Sequence, residues 1–274
     1  MTAQQETSTM EIPVTSSSVQ TAPFPPSQPL PSSEITIEPC TEKDASTIAE
    51  MLYTCFDDEW WSTKEPPEQR PATHSLRVHL LAKRLTPTFS QPGLYWMKAV
   101  HTPTGRTMGV AGWASPSLPV HNIFRRSAAT FYGWQAKMGW TDAEMDEMWA
   151  PVNEEKWSIQ FARDDETRAE VTGGPHWYLA PLMTLPEWQG RGVGKRLLSW
   201  AIEQADKTMP PTPVYLESRP SARQVYIKRG FVPQGEYNML RIGLGGLEGK
   251  QDEKKVDVSS VGDVAKGAEG DLAS

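Results

Sequence analysis

The sequence predicts an α/β (α+β) fold in which helices flank a mixed, mostly antiparallel sheet. Short alternating or apolar runs typical of strands recur along the chain, and amphipathic helical segments separate several of them. A glycine-rich turn also joins one apolar run directly to an amphipathic helix. The folded domain is predicted at residues 34–245. Residues 1–33, rich in Ser, Thr, Pro and Gln, and residues 246–274, which lack aromatics, are predicted as disordered tails.

The composition argues against several classes of function. Of the formal net charge of −7, the first tail contributes two acids and the second seven acids against four lysines, so five negative charges lie outside the domain. A nearly neutral domain argues against nucleic acid as a partner. Neither a membrane span nor a secretory signal is visible, which favours the cytosol, or else the nucleus. The two cysteines, Cys40 and Cys55, have no metal-site spacing, so neither metal nor disulfide is predicted.

The first half of the domain is predicted to contain one strand, two helices and a β-hairpin, in that order. Residues 34–38 alternate like a strand, and Thr41 is a capping residue before an apolar-periodic helix that reaches Cys55. A second helix is predicted at 75–83. Two strands at 94–100 and 107–113 then form a hairpin around the turn at 103–105.

Residues 115–172 form a helical insertion before the next strand. One helix is predicted at 127–138, a capping box at Thr141 opens a second, and a third follows the break at Pro151. The insertion carries ten acids against six bases and eight aromatic residues: Phe124, Phe131, Tyr132, Trp134, Trp140, Trp149, Trp157 and Phe161. Two interpretations stay open. The aromatics either form a lid that favours a cationic acceptor or pack the helices against the sheet.

A strand predicted at 176–185 leads through a glycine-rich turn into a helix that begins near Gly192 and ends before Pro210. Glycines at positions 190, 192 and 194 remove side chains where a ligand would approach, and the first helical turn presents unpaired N–H groups at the positive end of the helix dipole. Arg191, Lys195 and Arg196 add positive charge. The turn is therefore predicted to bind a phosphate or pyrophosphate.

Glycine spacing separates three kinds of phosphate loop. A Walker loop requires one more residue between the glycines and a hydroxyl where Arg196 stands, and the third glycine comes one residue early for the dinucleotide fingerprint. The segment does fit Gln/Arg-x-x-Gly-x-Gly/Ala, from Gln189 to Gly194. A second pattern follows, with a Leu-Glu strand end at 214–217 and a short helix at 221–229 that reads Tyr-x-x-x-Gly-Phe up to Phe231.

With these two signatures in order, the chain resembles the GCN5-related N-acetyltransferase (GNAT) family. The resemblance implies acetyl-CoA as acyl donor and Tyr226 as the general acid that protonates the departing thiolate. Glu217 is the first candidate for general base, and a capping or ion-pair role for it stays open. The resemblance also implies a set of cofactor-binding residues: Leu182, Met183, Thr184, Gln189, Gly190, Arg191, Gly192, Val193, Gly194 and Lys195.

The chain departs from the family pattern after the strand at 214–217, where family members often carry an asparagine that holds the cofactor. Here Arg219, Pro220 and Ser221 follow instead. Ser218, Arg219 or Arg223 are alternatives for that contact.

The expected activity is acetyl transfer from acetyl-CoA to the amine of a small molecule. Two alternatives are acetylation of a protein lysine or N-terminus and a non-catalytic acyl-CoA-binding module. The identity of the acceptor and pairing into a homodimer stay open.

Overall fold

The computed structural model describes residues 28–219 and 222–243. In this part of the chain seven strands form one sheet in the order β1-β2-β3-β4-β5-β7-β6. All neighbouring strands are antiparallel except β4 and β5, which are parallel. The strands are β1 (Ile35–Pro39), β2 (Leu94–His101), β3 (Arg106–Ala114), β4 (Trp177–Thr184), β5 (Val214–Glu217), β6 (Val232–Pro233) and β7 (Asn238–Arg241). The predicted fold class is confirmed.

Helices precede, interrupt and follow the strands. They are α1 (Ala45–Cys55), α2 (Asp58–Lys64), α3 (His74–Leu85), α4 (Ser127–Phe131), α5 (Trp134–Met138), α6 (Asp142–Trp149), α7 (Glu154–Thr172), α8 (Val193–Asp206) and α9 (Arg223–Ile227). None of the helices in residues 28–219 and 222–243 is long and apolar enough to cross a membrane.

The alternation of side chains along the strands produces two cores, one on each face of the sheet. On one face α8 and α9 cover the central strands, and Leu197, Leu198 and Tyr226 are buried there against Leu216. On the other face α1, α3 and the insertion pack against Trp96, Val110 and Met183 in a second buried cluster. Consecutive residues of β4 and β5 therefore face different cores.

The parallel strands β4 and β5 pair over only three residues. Their last backbone pair joins Leu179 to Leu216, and β4 continues to Thr184 without a partner on that edge among the described residues. The opposite edge of β4 stays paired with β3 up to Thr184. A gap thus opens beside the second half of β4.

Several predicted elements agree with the structure within one or two residues, and three elements differ. The helix predicted at 127–138 is two helices, because Gly133 adopts a φ of +70° between them. The seven-residue helix α2 was not predicted, although Asp57 caps it by accepting from the N–H of Trp60. Strand β7 was also not predicted.

The described residues begin at position 28, six residues before the start of the predicted domain at 34. A short 3-10 helix occupies Ser32–Glu34, and the backbone N–H of Leu30 donates to the carbonyl of Arg191 across 3.1 Å. The predicted tails otherwise lie outside the described residues.

The insertion packs most of its aromatic side chains internally. Five of the eight are buried, namely Trp134, Trp140, Trp149, Trp157 and Phe161. Helix α7 also lies against β5 and β7. The packing interpretation therefore accounts for these five residues, while α7 additionally covers the strand end that carries Glu217.

Candidate functional site

The glycine-rich loop between β4 and α8 leaves the first turn of α8 open. Gly190 and Gly192 have positive φ angles of 70° and 90°, which residues with a Cβ rarely adopt. A Cβ on Gly192 would meet no described atom within 4 Å, so this position faces open space. The N–H groups of the first helical turn have no partner inside the helix, and the helix dipole is positive there. The geometry is that of an anion site.

Neighbouring side chains hold the loop and surround it with positive charge. Val193 is buried in the core beneath α8, which anchors the start of the helix. The Gln189 side-chain amide donates to the carbonyl of Thr184 across 2.9 Å and ties the loop to the end of β4. The Arg191 guanidinium lies 5.6 Å from the Trp188 ring, while Lys195 is exposed on the first turn.

Three of the predicted cofactor-binding residues line the open edge of β4, namely Leu182, Met183 and Thr184. Leu182 and Met183 pair with Ala111 and Val110 of β3, and their other edge faces the gap left by β5. Met183 itself is buried toward α1. The Thr184 carbonyl already accepts from Gln189, so it is engaged within the chain.

Glu217 ends β5 at the point where the two parallel strands separate. Its carboxylate oxygen Oε2 accepts a hydrogen bond of 2.9 Å from the Tyr178 hydroxyl. The other oxygen, Oε1, is buried and has no hydrogen-bond partner within the described chain. Burial, followed by the negative charge of Asp164, raises the pKa of Glu217 to about 8. A carboxyl group with such a pKa can take up and release protons near neutral pH.

Tyr226 lies on the opposite face of the sheet from Glu217. Its ring is buried in the core beneath α8, 5.8 Å from the ring of Phe231. Burial raises the pKa of Tyr226 above its ordinary value, so the hydroxyl stays protonated. The structure therefore assembles the loop with the edge of β4 and places the two proton-transfer candidates on different faces of the sheet.

All three alternative cofactor contacts after β5 are engaged inside the chain. Arg219 pairs with Asp57 at 2.5 Å, and Arg223 donates to the backbone carbonyls of Gly235 and Glu236. These bonds fasten the end of β5 to the start of α2 and α9 to the turn before β7. The Ser218 hydroxyl bonds to the carbonyl of Arg219.

The sequence did not point to three residues that surround Glu217. Tyr178 comes from β4, and Asp164 and Arg168 come from α7 of the insertion. The Arg168 guanidinium lies 5.2 Å from the Tyr178 ring and pairs with Asp165 at 2.7 Å. The alternation along residues 177–180 could have placed Tyr178 on one face, but its partner lies 39 residues away in the chain.

Comparison with known proteins gives one family and a set of similar structures. Residues 152–243 match the family model described as an acetyltransferase (GNAT) domain. No protein of curated function matches the sequence.

Three of the similar structures illustrate the range of sequence identity among them. One from Corynebacterium glutamicum, described as histone acetyltransferase HPA2 and related acetyltransferase, is 22% identical and covers 76% of this chain and 96% of that chain, with a TM-score of 0.47. AAC(6')-Ib in complex with paromomycin and acetyl-CoA is 17% identical, with coverages of 81% and 99% and a TM-score of 0.42. A spermidine N-acetyltransferase chimera of Vibrio cholerae SpeG and hSSAT is 11% identical, with coverages of 76% and 95% and a TM-score of 0.40.

Proposed function

We propose that this chain, whose residues 152–243 match the model of an acetyltransferase (GNAT) domain, moves the acetyl group of acetyl-CoA to the amine of a small molecule. The observation that carries the proposal is the position of Glu217. Its buried, unpaired oxygen lies at the end of the gap between β4 and β5, next to the strand edge that leads to the glycine loop.

The residues of the loop and of the β4 edge fit acetyl-CoA as the acyl donor. The loop from Gln189 to Lys195 offers backbone N–H groups and positive charge to a pyrophosphate. The open edge of β4 at Leu182, Met183 and Thr184 offers backbone groups to an extended amide-containing arm, which is how a strand edge binds an additional chain. Acetyl-CoA supplies an activated thioester carbonyl at the end of that arm.

Acetyl transfer requires two proton movements. The acceptor amine must lose a proton before its nitrogen bonds to the thioester carbon, and Glu217 takes up that proton directly or through a water. The carbon–sulfur bond then breaks, and the departing thiolate takes up a proton, for which Tyr226, on the opposite face of the sheet from Glu217, is the candidate donor. The products are an acetylated amine and free coenzyme A.

The covering of Glu217 supports a small acceptor over an extended peptide. Helix α7 packs against β5 and β7 on the face that carries the carboxylate, and Oε1 is shielded from solvent. An extended peptide needs an open groove, whereas a small amine can enter a covered site. Asp164 on α7 acts on the same site and adds negative charge, which favours a cationic amine.

The test combines a donor assay with identification of the product. The full chain is incubated with acetyl-CoA and a panel of aliphatic, aromatic and polyamine primary amines, alongside lysine-containing peptides. Thiol release and an acetylated small amine in the mass spectrum are expected. Acetylation confined to peptides would overturn the choice of acceptor, and acetyl-CoA binding without any transfer would favour a non-catalytic module. A cytosolic or nuclear location without a nucleic-acid partner stays a prediction.

A further inference from the structure

A tyrosine and a glutamate from the two parallel strands are bonded where the strands separate. Tyr178 Oη donates to Oε2 of Glu217 across 2.9 Å, beside the final backbone pair between Leu179 and Leu216. Both side chains lie on the face covered by α7, because strand residues alternate between faces. The bond connects β4 and β5 at the inner end of the gap.

Tyr178 is held in one orientation by its neighbours. Its side chain is buried, and its ring lies 6.2 Å from that of Tyr215 in a stacked arrangement. On another side the Arg168 guanidinium lies 5.2 Å from its centroid and is itself fixed by Asp165. Because its ring is already held, Tyr178 loses little side-chain conformational entropy when its hydroxyl donates to Glu217.

Four ionisable groups on three elements act on Glu217. Asp164 and Arg168 belong to α7, Tyr178 to β4, and Tyr215 to β5. The Tyr215 hydroxyl accepts a bond of 2.6 Å from the Asn238 side chain of β7. Asp164 raises the pKa of Glu217, and the other three groups lower it. Tyr178 forms the hydrogen bond of 2.9 Å to the carboxylate, and the Tyr215 hydroxyl also lowers the pKa of Glu217 through hydrogen bonding.

We infer that Tyr178 is the positioning residue of Glu217: its hydroxyl holds Oε2 and leaves Oε1 directed at the acceptor amine or at the water that carries its proton. This inference rests on the proposed function, because it gives Glu217 the role of base. Tyr178 acts through Glu217 and does not exchange a proton with the substrate. The insertion takes part through Arg168, which packs on the tyrosine.

The first arm of the test measures Glu217 itself and needs no acceptor. Glutamate carboxyl carbons are labelled with ¹³C, and the Glu217 resonance is assigned by its loss in Glu217→Gln. In Tyr178→Phe the midpoint of its titration should rise by about one pH unit, because the lost hydrogen bond favours the ionised carboxylate. An unchanged midpoint would overturn the role of Tyr178, whatever the activity.

Tyr53→Phe is the matched control. The Tyr53 hydroxyl also donates to a buried glutamate, Glu65, but that pair belongs to the cluster around α1 and α3. This variant loses the same kind of bond and should leave the Glu217 titration unchanged. Acetyl-CoA affinity measured by calorimetry should be equal in both variants, which confirms that each is folded.

The second arm measures the pH profile of kcat/KM with the amine of highest turnover from the panel. The rising limb in Tyr178→Phe should move to higher pH by the same amount as the resonance, with the KM for acetyl-CoA unchanged. If the titration midpoint of Glu217 shifts in Tyr178→Phe but the rising part of the kcat/KM profile does not, a positioning role in catalysis is contradicted. Absence of transfer by the native chain with every amine would instead refute the proposed function.

Discussion

Replacing Glu217 by glutamine should remove a dependence of folding stability on pH that the native chain shows between about pH 5 and pH 8. The folded-state pKa of Glu217 is about 8, against an ordinary value of 4.5. In this window the folded chain retains a proton that the unfolded chain has lost. The contribution of Glu217 is therefore fully present below about pH 4.5 and is lost as the pH rises through 8.

The size of the effect follows from the two pKa values. Each pH unit in the window changes the free energy of unfolding by about 1.4 kcal/mol, so the full range corresponds to up to about 5 kcal/mol. Glutamine has nearly the same shape, can accept from the Tyr178 hydroxyl and cannot ionise. The variant should lack this component and gain stability relative to the native chain as the pH rises.

Urea unfolding followed by tryptophan fluorescence at several pH values between 5 and 9 measures this difference. The curve for Glu217→Gln should diverge from the native curve toward high pH. Glu170→Gln, at an exposed position on α7, is the control and should follow the native chain. Parallel curves for the native chain and Glu217→Gln would refute the raised pKa and with it the assignment of Glu217 as a base near neutrality.

Four further outcomes are expected. The native kcat/KM should rise about tenfold per pH unit below pH 8 and level off above it, since only the ionised carboxylate accepts a proton; a flat profile would exclude Glu217. Tyr226→Phe should lower turnover about 100-fold and leave acetyl-CoA affinity unchanged by calorimetry, and full turnover would remove Tyr226 as the acid. Gly192→Val should weaken acetyl-CoA binding about tenfold or more. Gly139 also has a positive φ and no described atom near its Cβ position, so Gly139→Val is the control and should bind acetyl-CoA normally. Equal affinities of the two variants would argue against the loop as the anion site. Removal of residues 1–31 should weaken acetyl-CoA binding several-fold, because it deletes the hydrogen bond from Leu30 to the Arg191 carbonyl. Removal of residues 1–27 keeps this bond and should leave the affinity unchanged. Identical acetyl-CoA affinities of the two truncated chains would show that this contact does not support the loop.

The sequence predicted the glycine-rich turn and the start of α8 because the signals for both are local. The glycines of the turn and the periodic apolar residues of α8 lie within about twenty consecutive positions, so chain geometry alone places the turn at the helix start. Short elements carry weaker signals. Helix α2 has only seven residues and β7 only four, too few for a clear period.

The surroundings of Glu217 could not be derived in the same way. Tyr178, Asp164 and Arg168 reach it from another strand and from the insertion, and their proximity depends on the register of β4 against β5 and on how α7 packs. The acidic composition of the insertion indicated negative charge near an acceptor. It did not distinguish Asp164, which acts on Glu217, from the exposed acids on the outer face of α7.

The central claim is tested most directly by following a labelled acetyl group. The full chain is mixed with acetyl-CoA labelled with ¹³C in its acetyl carbons and with the panel of primary amines, and the products are analysed by mass spectrometry. The account predicts a labelled acetyl group on at least one small amine, free coenzyme A in equal amount, and a rate greatly reduced in Glu217→Gln at pH 8. Bound acetyl-CoA with no labelled small amine, or an undiminished rate in Glu217→Gln, would contradict it.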